Sequence, residues 1–348
     1  MDKAVLKQIL YQYLNFSYGL KDLVKGKEVG DYLEKQILAN SLSRNLSIHE
    51  QLIALIEKEE NQDLESQIEV KEIIISLPSF NTTREEFKRE LESIKSYIKD
   101  KELEQYGDFV LVGSMATNDY VKEFSDVDIV LFLKPSFYSS PRNLQEFRKK
   151  IHGLNGLLLK IDPLQNHGVF VVLPSEREGY IESENMPIEV LKKGQNLGSV
   201  DLVLKIKVAA ECTTVNDKIF DAYIALVSKE LLLKNESYRF FRDFLHRVYL
   251  LPIMYLQSRG THTYKKESFV LIDNYQEFKC VKKLAEIYNQ DNFKNRHFRF
   301  VPDFFFISYP LFFRLLLNFV YGKKNQKIIH KSELDVLLTD FKKLLMHL

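Results

Sequence analysis

The sequence predicts an α+β protein in which a mixed sheet lies between two helical segments. Apolar residues recur at intervals of three and four from the N-terminus to about residue 107 and again from about 209 to 348, which is the period of amphipathic helices. Between these segments the apolar runs are short and β-branched, which favours strands: FVLV, VDIVLFL, GLLLKI, GVFVVLP and VDLVLKIKV. We therefore predict a helical N-terminal segment (1–80), a sheet-containing domain (81–208) and an all-helical C-terminal domain (209–348).

The composition is that of an ordinary folded protein. With 348 residues, 45% hydrophobic and 28% charged, the chain is long enough for two packed domains. Its formal net charge of +1 does not indicate nucleic acid or an acidic membrane as a partner. The two cysteines, Cys212 and Cys280, lie far apart in the sequence, which argues against a disulfide framework or a cysteine metal site. These features fit a reducing cytoplasm.

Two apolar segments could be mistaken for membrane signals. The N-terminal stretch MDKAVLKQILYQYL carries charges throughout, so it predicts an amphipathic helix rather than a secretory signal. The stretch FFFISYPLFFRLLLNFVY approaches the length of a membrane span, but Pro310 and Arg314 lie inside it. We predict that it forms buried helices, and that the protein has no membrane partner.

The clearest predicted helix lies just before the sheet, in TTREEFKRELESIKSYIKDKEL. Thr83 and Glu86 have the spacing of a capping box at its start. The apolar stripe expected to face the core consists of Phe87, Leu91, Ile94 and Ile98.

Two aspartates interrupt the apolar run DVDIVLFL. In a strand, residues two apart project from the same face, so Asp126 and Asp128 would lie side by side while Val127 and Ile129 face the core. Two neighbouring carboxylates in a poorly solvated place repel each other unless a cation neutralises them. Carboxylate oxygens select hard ions that complete their coordination with water and substrate phosphates. The pair therefore predicts a site for Mg²⁺ or Mn²⁺.

A Gly-Ser pair precedes the aspartates. Gly113 and Ser114 follow the predicted strand FVLV and precede a short predicted helix starting near Met115. A glycine there lets backbone N–H groups approach an anion, and the serine adds a hydroxyl donor. Together with Asp126 and Asp128, this arrangement predicts a site for a nucleoside triphosphate and a metal ion.

The motif VGS, eleven residues, then DVDIV resembles the signature of the nucleotidyltransferase superfamily. That superfamily includes DNA polymerase beta, CCA-adding enzymes, oligoadenylate synthases, cyclic dinucleotide synthases and antibiotic nucleotidyltransferases. The resemblance implies a mixed-sheet nucleotidyltransferase palm in which Gly113 and Ser114 bind the triphosphate while Asp126 and Asp128 ligate two metal ions. A palm followed by a helical domain looks like the oligoadenylate synthase, cyclic dinucleotide synthase and CCA-adding branch.

The resemblance also implies a third carboxylate on a strand beside that of Asp126. Asp201, in SVDLVLKIKV, is the better match, although the proline that often follows this acid in the family is replaced by Leu204 and Lys205. Glu189, in PIEVL, is the rival, and its surroundings read equally well as the first turn of a helix.

Many relatives carry a small residue, Arg or Lys, and then Gly-Thr after the Gly-Ser pair, and MATNDYVKEF departs from this pattern. We therefore look for the positive charge that would bind the triphosphate elsewhere in the chain. The candidate lysines are Lys205, Lys207, Lys265 and Lys266. Because the helical domain of relatives commonly supplies a serine to the phosphates and an aromatic ring to the base, Ser268 and Tyr264 are further candidates.

Two histidines have weaker patterns. His167 precedes a predicted strand and could face the cleft, but a histidine at this position is more often a turn residue, so we leave it outside the predicted site. Arg239 and His246 resemble the loose Arg-to-His pattern of HEPN ribonucleases and would share one face of a helix.

The predicted activity is transfer of a nucleoside monophosphate from an NTP to a hydroxyl acceptor, with release of pyrophosphate. The product could be a nucleotide second messenger or a short oligonucleotide. One alternative is transfer to RNA, especially a tRNA 3′ end, favoured by a basic strip that includes GKKNQK and NFKNRHFRF. Another is a catalytically inactive nucleotide-binding regulatory module, favoured if no third carboxylate lies beside the aspartate pair.

Overall fold

A computed structural model of the chain describes residues 3–15, 47–61, 70–81, 88–117, 126–162, 165, 167–182, 184–209, 220–228, 238–272, 278–290, 302–308, 336 and 339–345. The elements in chain order are α1 (Lys3–Asn15), α2 (Ile48–Glu60), β1 (Val70–Leu77), α3 (Lys88–Asp100), β2 (Gly107–Val112), α4 (Gly113–Ala116), β3 (Asp128–Leu133), α5 (Pro141–Ile161), β4 (Phe170–Val172), α6 (Ile188–Leu191), β5 (Gln195–Asn196), β6 (Leu202–Ala209), α7 (Tyr238–Ser258), α8 (Lys265–Leu271), α9 (Lys279–Gln290) and α10 (Asp303–Ser308). Residues 220–228 and 339–345 are helical as well.

The central sheet has four strands in the order β4-β3-β2-β5. Strand β2 runs antiparallel to β3 and β5, whereas β4 runs parallel to β3. The fold is therefore α+β with a mixed sheet, as the sequence predicts. Because Val112 pairs with Asp128, the C-terminal end of β2 lies beside the N-terminal end of β3, where the aspartate pair begins.

Both faces of this sheet are covered, which explains why its strands are apolar at nearly every position. On one face Phe109, Leu111 and Ile129 pack in a core shared with α1, α2, α3 and α5. On the other face Val110 and Val130 pack against β1, β6 and α6. The aspartates are placed at an end of this second face, by the alternation of side chains along β3.

Strand β1 corrects the prediction that residues 1–107 are almost wholly helical. It pairs antiparallel with β6 in a separate two-stranded sheet, with Ile75 opposite Leu204. Ile75 and Leu77 are buried against the central sheet while Ile74 is exposed, which is the alternation of a strand. The three consecutive isoleucines favour a strand over a helix because their branched side chains crowd a helical backbone.

The run GLLLKI corrects a second prediction, because it forms the last turns of α5 rather than a strand. Ser140 caps this helix by accepting a hydrogen bond from the backbone N–H of Asn143, and Pro141 occupies the first turn. Every residue from Gly153 to Ile161 is buried, so this part of the helix is apolar on all sides. A helix buried all round loses its amphipathic period and resembles a buried strand in sequence.

Two other predicted helices are present in the structure. Helix α1 forms where the amphipathic N-terminal helix is predicted, and Leu91, Ile94 and Ile98 of α3 are buried as expected. Thr83, Glu86 and Phe87 lie outside the described residues, as do Pro310 and Arg314.

Among the described residues no helix is long and apolar enough to cross a membrane. The division into 1–80, 81–208 and 209–348 stays a prediction, as does an all-helical C-terminal domain.

Protonation of His152 on α5 is expected to destabilise the fold at low pH. Burial and, next, the charge of Arg148 lower the pKa of His152 to about 3, in spite of a backbone hydrogen bond with Tyr13. The unfolded chain has a histidine pKa of about 6.5. Above that pH His152 is neutral in both the folded and the unfolded state, so its titration does not change the free energy of unfolding. Below that pH the free energy of unfolding falls by up to about 1.4 kcal/mol per pH unit, until the pH approaches the folded pKa.

The His152→Gln variant should therefore lose less melting temperature than the wild-type protein when the pH falls from about 7.5 to about 4.5. Melting followed by circular dichroism at both pH values measures the difference. Equal losses in the two proteins would contradict this prediction.

Candidate active site

The aspartate pair lies at the start of β3. Asp128 is the first residue of the strand and Asp126 precedes it by two positions. Val127 and Ile129 between and after them are fully buried in the core on the helical side. The side chains of Asp126 and Asp128 are 13% and 24% exposed, so both carboxylates are largely desolvated and still reach solvent.

The Gly-Ser turn lies directly against this pair. Gly113 begins α4 and has a φ of 69°, in the left-handed region that favours glycine. A Cβ at this position would overlap Oδ2 of Asp128. Only glycine therefore allows the backbone to approach the carboxylate so closely. Ser114 follows it and is half-buried.

His167 is the third side chain at the aspartate pair. Its Nε2 lies 3.1 Å from Oδ2 of Asp126 and 3.4 Å from Oδ1 of Asp128. One ligand atom from each of these three residues lies within 4.8 Å of the others, the separation expected of side chains that can share one metal ion. The His167 ring also stacks on Phe170 of β4, with 4.9 Å between the ring centroids.

The electrostatics of the three groups are strongly coupled. Burial disfavours the charged ring of His167, but its hydrogen bond with Asp126 and the charges of both carboxylates outweigh burial and raise the pKa of His167 to about 9. Burial and then the charge of Asp126 raise the pKa of Asp128 to about 6. Burial also acts to raise the pKa of Asp126, but the nearby cations hold that pKa well below its usual range. The ring of His167 thus offsets the repulsion between the two carboxylates.

Helices α7 and α8 bring further positive charge to the pair. The charges of His246 on α7 and Lys265 on α8 both lower the pKa of Asp126, and Lys265 also acts on Asp128. The Lys265 ammonium lies 5.0 Å from the ring centroid of Tyr249. Two acids with positive charges close to them suit a polyanion that carries a metal ion.

Contacts between α8 and the sheet domain fix the position of Lys265. The hydroxyl of Tyr264, the residue before Lys265, lies 2.8 Å from Oγ1 of Thr117, just after α4. Lys193, after α6, forms an ion pair with Glu267 of α8, and its ammonium lies 4.7 Å from the Tyr264 ring centroid. These contacts hold α8 over the Gly-Ser turn.

Asp201 does not join the aspartate pair, and the prediction that its strand lies beside that of Asp126 is wrong. Strand β6 pairs with β1, whereas the strands beside β3 are β2 and β4. The Asp201 carboxylate accepts a hydrogen bond from the Ser79 backbone N–H, at 2.7 Å. Ser199, two residues earlier, donates to Glu104, which precedes the start of β2. Ser79 pairs with Asn196 of β5, so β5 and β2 lie between this residue and β3.

Glu189, the alternative candidate for the third acid, also lies away from the aspartate pair. Glu189 lies in the first turn of α6, as its helical alternative predicts, and forms an ion pair with Lys192. Within the described part of the chain, neither Glu189 nor Asp201 belongs to a group of side chains that could share a metal ion with the pair.

Of the other residues predicted to bind the nucleotide, one lies near the aspartate pair and the others make contacts elsewhere. Lys265 lies close enough to act on both aspartates. Lys205 is exposed on β6, opposite Ile74, and Lys207 forms an ion pair with Glu178. Ser268 is fully buried and its hydroxyl donates to the Lys265 carbonyl at 2.6 Å, so it is used inside α8. The structure thus does not place Lys205 or Ser268 where the prediction needs them.

Sequence reasoning left His167 and His246 out of the site. The sequence signal for His167 is its position just before an apolar run, but its proximity to Asp126 depends on β4 pairing in parallel with β3. His246 was considered only with Arg239, whose side chain lies outside the described ones. Its charge acts on Asp126 from a distant part of the sequence, so no local pattern reveals it.

Comparison with known protein families agrees with this geometry. Residues 91–166 match the family model of the nucleotidyltransferase domain. The matched segment contains the Gly-Ser turn and both aspartates and ends immediately before His167. The fold and the site therefore define a nucleotidyltransferase domain, and this domain belongs to the nucleotidyltransferase superfamily. Comparisons with curated proteins and with solved structures found no match to the chain.

Proposed function

We propose that this protein transfers a nucleoside monophosphate from an NTP to a hydroxyl acceptor and releases pyrophosphate. The observation that carries the proposal is the placement of Asp126 and Asp128 at the start of β3, directly against the left-handed turn at Gly113. The match to the nucleotidyltransferase domain over residues 91–166 supports it. In the proposed reaction the acceptor oxygen bonds to the α-phosphorus, the bond to the pyrophosphate oxygen breaks, and the hydroxyl proton is released.

The side chains of the site fit a divalent cation, because two carboxylates converge at a largely desolvated point. A bound divalent ion would neutralise the triphosphate and lower the pKa of the acceptor hydroxyl. Asp126 and Asp128 would hold the ion, and the backbone and hydroxyl of Ser114 would orient the phosphates. Lys265 would balance the remaining negative charge, because its charge already acts on both aspartates.

The acceptor is proposed to be a second nucleotide, giving a second messenger or a short oligonucleotide, with Mg²⁺ or Mn²⁺ as the ion. RNA, including a tRNA 3′ end, remains the alternative acceptor. The segments GKKNQK and NFKNRHFRF, on which that alternative depends, lie outside the described residues.

One observation favours a second candidate function, a catalytically inactive module that binds nucleotides. Among the described residues no third carboxylate joins Asp126 and Asp128, and His167 lies beside them instead. Such a module would bind an NTP with a divalent ion and release it unchanged.

The two candidate functions are separated by incubating the protein with each labelled NTP and Mn²⁺, with and without total RNA, and resolving the products. Pyrophosphate release together with a new nucleotide product supports the transferase with a nucleotide acceptor, and labelled RNA supports the RNA alternative. Saturable NTP binding without pyrophosphate release would establish the binding module and overturn the transferase.

Lys265→Ala is expected to raise the KM for the NTP by roughly 10- to 100-fold, because a contact to a charged group contributes about 1.5–3 kcal/mol. Steady-state kinetics with varied NTP concentration measures this change. Lys205→Ala is the matched control, since Lys205 is exposed on β6, and it should leave KM unchanged. Equal effects of the two substitutions would show that Lys265 has no special role in binding the triphosphate.

A further inference from the structure

We propose that His167 is the third protein ligand of the metal ion and that the resulting set of two carboxylates and one imidazole favours Mn²⁺ over Mg²⁺. The inference rests on the proposed function only in placing a divalent ion at Asp126 and Asp128. It assigns to a histidine the position for which the sequence predicts a third acid.

The backbone places His167 at the position expected for the third acid. Strand β4 is the neighbour of β3 on the side away from β2, and it runs parallel to β3, with Phe170 opposite Val130. Extended by two residues towards the N-terminus, this register brings Gly168 level with Asp128, and the side chain of the preceding His167 lies beside both aspartates. The stacking of the His167 ring on Phe170 limits its rotation.

The hydrogen bonding of the ring orients it as in a metal-binding histidine. The Nδ1 atom lies 3.0 Å from the backbone carbonyl oxygen of Gly168. A carbonyl can only accept, so Nδ1 carries a proton whether the ring is neutral or charged. In the neutral ring the lone pair is therefore on Nε2, which points at Asp126 and Asp128. Metal-ligating histidines are oriented by the same kind of contact from their second nitrogen to a carbonyl or carboxylate.

The chemistry of this ligand set decides between the two ions. Mg²⁺ binds oxygen ligands in near-ideal octahedral geometry and releases its water reluctantly, so an imidazole nitrogen is a poor ligand for it. Transition ions accept imidazole, and Mn²⁺ combines this with the preference for carboxylates that Asp126 and Asp128 require. His167 is thus expected to add affinity for Mn²⁺ and little for Mg²⁺.

The test measures ion binding to the full-length protein without NTP. The wild-type protein, His167→Ala and His167→Asp are titrated with Mn²⁺ by electron paramagnetic resonance, and Mg²⁺ affinity follows from competition. We expect His167→Ala to weaken Mn²⁺ binding at least about 10-fold. We expect His167→Asp to keep a bound ion and to lower the ratio of Mn²⁺ to Mg²⁺ affinity, because the third ligand becomes an oxygen.

A spectroscopic measurement separates ligation from a structural role. In the wild-type protein, pulsed electron paramagnetic resonance of bound Mn²⁺ should show coupling to an imidazole nitrogen, and this coupling should be absent in His167→Asp. The matched control is His49→Gln, which alters a histidine that contacts Tyr13 on the helical side of the sheet. This variant should keep the wild-type Mn²⁺ affinity and the coupling to the imidazole nitrogen. Unchanged Mn²⁺ affinity in His167→Ala, or an unchanged affinity ratio in His167→Asp, would overturn the inference.

These outcomes are independent of catalysis. If the wild-type protein binds Mn²⁺ through His167 but forms no product from any NTP, the inference stands and the proposed transferase fails. If products form while His167→Ala binds Mn²⁺ as well as the wild-type protein, the transferase stands and the inference fails.

Discussion

Replacing Asp126 and Asp128 together by alanine is expected to abolish nucleotide transfer, with a loss of at least roughly 1,000-fold in kcat/KM. The reason is that ion-mediated charge stabilisation in the transition state contributes several kcal/mol, and each 1.36 kcal/mol corresponds to a factor of ten. The fold should survive, because the substitution removes two desolvated like charges along with their contacts to His167. Pyrophosphate release and thermal melting measure the two effects.

The matched control for this pair is Asp201→Asn. Its side-chain oxygen can still accept the hydrogen bond from the Ser79 backbone, so the local structure should be kept. Because Asp201 lies away from the pair, turnover and Mn²⁺ affinity should stay at the wild-type level. Retained turnover in the double alanine variant would contradict the proposed function. Loss of turnover in Asp201→Asn would indicate that Asp201 acts as the third carboxylate of the site.

Gly113→Ala is expected to lower transfer by about 100-fold and Mn²⁺ affinity by about 10-fold. A Cβ on Gly113 would overlap Asp128 Oδ2, and the turn is held by the pairing of Val112 with Asp128. The carboxylate must therefore rotate away from its position, and misplacement by about 1 Å at a reacting centre can cost on the order of 100-fold. Steady-state kinetics and Mn²⁺ titration measure both quantities.

Gly260→Ala controls for backbone strain. Gly260 also has a positive φ, of 75°, but nothing lies within 4 Å of the Cβ that alanine would add. Both variants should lose roughly 1–2 kcal/mol of stability from the left-handed conformation. Only Gly113→Ala should lose ion affinity. If Gly260→Ala lost as much ion affinity, the close approach of Gly113 to Asp128 would not be the cause.

The parts of the site that depend on short stretches of chain were predictable from the sequence. The order of strand, Gly-Ser turn and paired aspartates is encoded within 25 residues. The spacing of two residues between Asp126 and Asp128 predicts that they project to the same side of an extended backbone. The buried stripe of α3 was predictable for the same reason, since helical period is a local property.

The predictions that failed depend on contacts between distant parts of the chain. Strand β1 was missed because its pairing with β6 joins segments more than a hundred residues apart, such as Ile75 and Leu204. The end of α5 was mistaken for a strand because packing on all sides removed its helical period. The domain boundaries and the helical C-terminal domain stay predictions.

The sequence by itself determined that this protein has a carboxylate pair beside a glycine turn, because both features follow from residue type and spacing along a continuous backbone. The tertiary structure decided which side chain lies third at that pair. Asp201 and His167 both occur next to apolar strands, and local pattern favours the acid. Strand pairing is set by which apolar faces bury each other, and it places β4 beside β3 and β6 beside β1. His167 therefore lies at the aspartates, and Asp201 does not.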